Sequence, residues 1–349
     1  MDVPAWGWVG LLGLIAVMLT VDFVGHVRKP HAPSLKEATI WSASYISIAL
    51  MFGIFVWQIW GSRYGSEYYA GYVTEESLSV DNLFVFVLIM SSFRVPRQYQ
   101  QKVLLIGIMI ALALRTIFIF LGAAIVNEFS WVFYIFGAFL LYTAYTQVKS
   151  DDGPAGEEFR ENLVLRLARR VFPTTDGYVG DQMLSHQAGK WHITPMLIVM
   201  LAIGSADLLF AVDSIPAIFG LTRETYLIFA ANAFSLMGLR QLYFLIDGLL
   251  DRLVYLKYGL AAILGFIGIK LVIHAMHEND LSFLNGGQPI TLLPEISTNA
   301  SLVVIVGVLI ATAWTSLTLG KRRRLAAAEA EAPALEAEAP ALERDGSPR

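Results

Sequence analysis

The chain has 349 residues, 56% hydrophobic and only 15% charged, with a formal net charge of −4. Soluble domains carry roughly a quarter charged residues, so lipid is the solvent this balance fits. There is no cysteine, which excludes a disulfide framework, thiol redox chemistry and any Cys-ligated zinc or iron–sulfur site.

A helix needs about 20 mostly apolar residues to cross the hydrocarbon core. Windows that meet this condition run roughly over 6–27, 38–60, 73–93, 103–125, 130–148, 194–219, 225–246, 254–276 and 299–319. The expected fold is therefore an all-α membrane protein with about nine transmembrane helices. The first window follows Asp2 rather than a basic stretch, and its positive charges, Arg28 and Lys29, come after it, so it reads as a span and not a cleavable signal. Trp6, Trp8, Trp57, Trp60, Trp131 and Trp191 fall near window ends, where interfacial anchors belong.

Loop charges set the orientation. One set of segments holds Arg28, Lys29, Lys36, Arg94, Arg97, Lys102, Lys149, Arg160, Arg166, Arg169, Arg170, Lys190, Arg252, Lys257, Lys321, Arg322, Arg323 and Arg324; the alternate set holds only Arg63 and Arg223. The positive-inside rule then places the N-terminus outside and the C-terminus in the cytoplasm of a bacterial inner membrane. The chain divides into spans one to five (1–148), a cytoplasmic loop (149–193), spans six to nine (194–320) and a cytoplasmic tail (321–349). In the loop, Phe159, Leu163, Leu167 and Val171 recur every four residues among arginines, the pattern of an amphipathic helix on the membrane surface or on the protein's own inner face. The tail is Ala, Glu and Pro with little else, and reads as disordered.

Short polar patterns recur inside the spans. Span three contains Ser79-Val80-Asp81-Asn82 and span six Ala211-Val212-Asp213-Ser214, each with an acid six residues earlier, Glu75 and Asp207. Span four contains Leu114-Arg115 and span seven Leu239-Arg240. Spans 3–5 thus match spans 6–8, and because three is odd the second unit starts from the opposite side of the membrane. That is an inverted-topology repeat, an arrangement that in transporters often brackets a midplane substrate site.

Glu75, Glu76, Asp81, Asp207, Asp213, Arg115, Arg240 and Lys270 all lie within these apolar windows. An ion at the bilayer centre costs at least ~2.5–3.5 kcal/mol, so these groups must pair, bind an ion or hold protons inside the bundle. Arg115, Arg240 and Lys270 are read as counter-ions. The acids outnumber them. At 100° per residue neither acid pair shares a helix face, so the two acids look at different neighbours or the helix breaks between them, for which Gly204-Ser205 and Pro216 offer places in span six. Carboxylates with the oxygens of Ser79, Asn82, Ser214 and Asn232 suit a hard divalent cation such as Mn²⁺, Mg²⁺ or Ca²⁺. A proton-only relay is also open, since buried carboxyls readily hold protons. His274, His277 and Glu278 follow span eight and read as an interfacial group or a metal entry point.

Three stretches, Glu76-Ser77-Leu78-Ser79-Val80-Asp81-Asn82-Leu83-Phe84-Val85-Phe86, Ser205-Ala206-Asp207-Leu208-Leu209-Phe210-Ala211-Val212-Asp213-Ser214-Ile215-Pro216-Ala217 and Ala231-Asn232 with Gly238-Leu239-Arg240, resemble the TerC family of bacterial membrane proteins, which includes the Alx-type manganese exporters. The resemblance covers roughly residues 5–320. It implies a Mn²⁺-handling transporter whose acidic motif residues fall on Glu76, Asp81, Asp207 and Asp213. It favours Glu76 where the repeat spacing favours Glu75. The expected function is export of Mn²⁺ or a similar divalent cation, proton-coupled, with no permanently bound cofactor and with the lipid bilayer and the ion as partners, the sequence naming no protein partner; nucleic-acid binding and enzymatic activity are not expected. A membrane scaffold that senses metal or tellurite stress without moving the ion is the alternative. No metalloprotease His-Glu-x-x-His, no Gly-x-Ser-x-Gly and no P-loop is present.

Overall fold

A computed structural model of the chain describes residues 1–27, 33–149, 175, 177–187, 190–246, 256–279, 281, 284–316 and 318. The helices are α1 (Ala5–Asp22), continued by a π-helical turn (Phe23–Val27), α2 (Leu35–Trp60), α3 (Ser62–Ser92), α4 (Arg97–Glu128), α5 (Val132–Lys149), α6 (Pro195–Phe219), α7 (Thr225–Ile246), α8 (Leu256–His277) and α9 (Thr298–Ser316). A short antiparallel hairpin, β1 (Leu184–Gln187) and β2 (Lys190–Ile193), precedes α6. The sequence windows and these helices coincide closely except at α3.

Among the described residues six helices, α1, α2, α4, α6, α8 and α9, are long and apolar enough to span a membrane by length and composition alone. The others are lowered by specific polar residues: Arg63, Glu67, Glu75, Glu76 and Asp81 in α3, Gln147 and Lys149 in α5, and Asn232, Arg240 and Gln241 in α7. Two of those three stand at the centre. α3 packs on α7, α2 and α6, and α7 also packs on α2 and α4, so the polar helices are shielded from lipid by apolar ones. The outer ring faces lipid with bare hydrocarbon, as at Val9, Met51, Ile117 and Val303. Trp6, Trp57 and Trp131 are exposed, as the anchor reading expects.

α3 starts well before its apolar window. Tyr68 donates to the Ala49 carbonyl (2.9 Å) and Tyr69 to that of Leu50 (2.8 Å), so an aromatic face binds this stretch to α2 and extends the helix through residues that read as a loop. Only Gly61 separates α2 from α3, at φ 96°, a conformation that a residue with a Cβ rarely adopts. α6 runs without a break through Gly204-Ser205 and Pro216, and α3 is likewise continuous. Asp207 and Asp213, six residues apart on the continuous α6, therefore look at different neighbours.

The hairpin is a feature the sequence reading missed. It is tied to the α3–α4 turn from two sides. Lys102 bonds the Asp181 carboxylate (2.7 Å) and carbonyl (2.9 Å), and Tyr178 donates to the Phe93 carbonyl (2.8 Å). The Lys102 bond holds the Asp181 carboxyl below its ordinary range. A depressed carboxyl stabilises above its unfolded value, so this brace persists at neutral pH and is lost only as the pH falls below about 4. The expected amphipathic helix over 159–171 and the tail over 321–349 lie outside the described residues.

α5 and α8 cross with their backbones in contact. A Cβ on Gly137 would stand 2.9 Å from the Gly268 carbonyl, and one on Gly268 would stand 3.0 Å from that of Gly137. Small residues at a helix crossing let the chains approach this closely. Gly137→Val and Gly268→Val should each destabilise the folded protein by about 1–3 kcal/mol. Gly13→Val, where a Cβ meets nothing within 4 Å, should change little. Thermal unfolding in detergent, monitored by tryptophan fluorescence, checks the contrast.

Candidate functional site: a buried carboxylate cluster

An arginine on α4 bridges acids on two other helices. Arg115 Nε donates to Asp207 Oδ2 (2.7 Å), Nη2 to Asp207 Oδ1 (3.1 Å) and Nη1 to Glu75 Oε2 (2.9 Å). Arg115 and Asp207 are completely buried and Glu75 almost so. Glu75, Arg115 and Asp207 each stand close to the middle of their helices, which run 31, 32 and 25 residues. The triad thus lies about as deep as a bilayer allows. The fork of the guanidinium fits the Asp207 carboxylate edge-on, which a lysine could not do.

One arginine does not complete the cluster. Glu75 Oε1 is buried with no hydrogen-bond partner. Its neighbour Glu76 accepts from the Ser235 hydroxyl on α7, while Ser79 and Ser235 lie 3.0 Å apart, so a chain of hydroxyls joins α3 to α7 at this acid. Glu76 Oε2 has no partner. Asp213, two turns along α6 from Asp207, is partly buried and lies in the field of both Arg115 and Glu75. Ser214 Oγ, Asn82 Nδ2 and both amide atoms of Asn232 are also buried without partners. Buried polar groups in native proteins are nearly always satisfied, and the open oxygens of Glu75 and Glu76 belong to adjacent residues of α3.

The second intramembrane arginine has a different partner from the one expected. Arg240 on α7 donates to Asp22 at the end of α1, and Tyr45 on α2 donates to the same carboxylate. This pair ties α1 and α2 to α7, away from the Glu75–Arg115–Asp207 cluster. Sequence reasoning missed Asp22 as a partner; the available signal was that Val21-Asp22 repeats the Val-Asp dipeptide of α3 and α6. Lys270 on α8 is buried, with Glu67 and Glu295 as the acids acting on it. Glu67 itself accepts from Arg63 (2.9 Å) and Thr222 (2.6 Å). At the same end of the bundle Arg223 bonds Glu278 and His274 Nε2 (2.8 Å), His274 Nδ1 lies 2.9 Å from Glu295, and the N-terminal amine bonds Glu224 (2.6 Å). These bonds use His274 as a structural link.

Of the four acids singled out from sequence, Asp207 lies in the triad, Glu76 adjoins it and Asp213 lies within its field; the side chain of Asp81 lies outside the described part. Glu75, which only the repeat spacing favoured, is the acid that Arg115 holds. Among the described residues no group of three or more histidine or acidic side chains is close enough to hold a metal ion.

The sequence matches the model of the integral membrane protein TerC family over residues 60–324. The chain belongs to the TerC family. An uncharacterized membrane protein of Mycobacterium tuberculosis is 51% identical over 321 residues, covering 90% of this chain and 80% of the relative. One from Myxococcus xanthus is 39% identical over 329 residues, with 93% and 96% coverage. Alx of Escherichia coli, named as a candidate membrane-bound redox modulator, is 33% identical over 329 residues, with 90% and 97% coverage. No solved structure matches. The TerC match spans the whole carboxylate cluster, and it leaves α1 and with it Asp22 outside.

Removing the guanidinium would leave two buried carboxylates uncompensated. Arg115→Gln should cost about 3–5 kcal/mol, enough to lower abundance sharply. Tyr45→Phe removes one of the bonds to the Asp22 carboxylate and should cost about 1.5–3 kcal/mol. Membrane abundance and thermal unfolding of the two variants measure the difference.

Proposed function

We propose that this TerC protein exports Mn²⁺ or a similar hard divalent cation across the bacterial inner membrane, using the buried carboxylate cluster as its binding site and exchanging the ion for protons. The observation that carries the reading is the pair of buried, unpartnered carboxylate oxygens, Glu75 Oε1 and Glu76 Oε2, beside the Arg115–Asp207 pair at mid-depth of the bundle, with Asp213 in the same field. Hard cations take carboxylate, hydroxyl and amide oxygens, which is the donor set present. Carboxylates that hold either a proton or a metal give proton exchange a physical route. Asp81, six residues beyond Glu75 on α3, is to be tested with them on the strength of the family motif alone.

Alternating access needs two arrangements of the bundle, and an inverted repeat supplies them. The packing partners fit an exchange of α3 with α6, α4 with α7 and α5 with α8: the contact α3–α7 becomes α6–α4, and α5–α8 maps onto itself. Lys and Arg in the loops favour an outer N-terminus and a cytoplasmic α3–α4 turn and hairpin. The redox modulation in the name of the Escherichia coli relative suits the same reading, because a chain without cysteine cannot act by thiol exchange but can act through the level of a redox-active metal.

Everted membrane vesicles containing the wild type should accumulate Mn²⁺ when a proton gradient is imposed. Asp81→Asn and Asp213→Asn, which retain an oxygen but lose the charge, should abolish uptake at near-normal protein levels. Normal uptake by both variants sinks the site, and Mn²⁺ binding without any flux by the wild type makes the protein a metal-sensing scaffold instead. For topology, Leu292→Cys lies on an exposed loop and Gly177→Cys beside the hairpin. An impermeant thiol reagent on intact cells should label the first and spare the second; the reverse pattern would invert the orientation.

A further inference from the structure

We propose that Arg115 is the resident counter-cation of the transport site: a divalent ion and the Arg115 guanidinium compete for the same two carboxylates, Glu75 and Asp207. The inference rests on the transport reading above and adds a role for a residue whose plain reading is structural. Three observations carry it. The guanidinium takes both oxygens of Asp207 and one of Glu75, three of the four that a metal bridging these acids would use. The fourth, Glu75 Oε1, is buried and open. And Arg115 stands on α4 while its acids stand on α3 and α6, so a shift of one helix against the other two uncovers the acids as a pair.

Charge decides the order of events. Glu75 and Asp207 carry two negative charges when ionised and the guanidinium one positive, so a divalent ion neutralises the pair where Arg115 does so by half. Metal and guanidinium cannot share the oxygens, because like charges at contact distance repel strongly in a dry interior. An arginine cannot shed its proton in a protein, so the exchange must proceed by movement of the side chain or its helix, not by titration. The consequence is a coupling device. With no ion bound, Arg115 refills the site on Glu75 and Asp207, and the bundle can reset without exposing those carboxylates bare to the membrane interior or carrying the metal back; the exchanged protons then ride on the acids Arg115 does not hold, Glu76 and Asp213.

The test is Mn²⁺ binding to the purified full chain in detergent, measured by isothermal titration calorimetry and by the metal-dependent rise in melting temperature. Arg115→Lys keeps the charge but loses the fork, so it competes less well. It should bind Mn²⁺ about tenfold more tightly than the wild type, and show a larger metal-induced rise in melting temperature from a lower starting point. In the same background Asp207→Asn should remove the gain. If Arg115→Lys does not accumulate in ordinary medium, growth with added Mn²⁺ should restore its abundance, because the metal then supplies the missing counter-charge. A purely structural arginine predicts unchanged or weaker binding and abundance indifferent to Mn²⁺, and either result overturns the proposal. Absence of Mn²⁺ binding in the wild type is a separate outcome that removes the transport reading itself.

Discussion

Everything in the centre of this bundle depends on one buried guanidinium. Arg115 joins three helices through three charge-assisted bonds at mid-depth, where none of the groups reaches solvent. An isolated carboxylate at that depth would be prohibitive, and so would an isolated arginine. Together they allow α3 and α6 to be held with acids facing inward, and the packing of α4 against α6 follows. The Arg240–Asp22–Tyr45 group repeats the principle nearer the end of α7, with acid and phenol supplied by α1 and α2. Two arginines that look alike in sequence thus do different work. One closes the cluster, and the other fastens the first two helices to α7.

The outer helices make this centre possible by being plain. α1, α2, α4 and α9 turn Val, Ile, Leu, Met and Phe toward lipid, and the hydrocarbon they present needs no partner in the chain. α9 in particular touches the rest by one face, through residues such as Ser301, Ile305 and Ser316, while Val303, Ile310 and Trp314 stay exposed. In water such a surface would aggregate; in a bilayer it is the solvated face.

Most of the fold was legible because a membrane leaves few options: backbone groups must be satisfied within each helix, so apolar length alone locates the spans. The errors have physical sources. The start of α3 was hidden because Arg63 and Glu67 lower local apolarity, while the tyrosines that stabilise it act on the α2 backbone, a contact no window detects. The hairpin is short and held by Lys102 and Tyr178 from distant segments. In the site, the presence of intramembrane acids was plain, but their partners were not. Helical periodicity tells which residues share a face, and it cannot tell that Arg115 reaches Glu75 rather than Glu76, or that Arg240 reaches Asp22.

The single-residue join at Gly61 bears on how the chain enters the membrane at all. α3 carries four acids within its length and would be rejected by the insertion machinery as a lone segment, since each acid at depth costs several times what a leucine gains. α2 is apolar through its second half but for Gln58 and is separated from α3 by one residue. The two must therefore be handed over to the bilayer as a pair, with the tyrosine bonds to Ala49 and Leu50 formed as they go in. Lengthening that join would uncouple them during synthesis and leave α3 stranded at the surface, a defect of biogenesis that no measurement on the finished molecule would reveal.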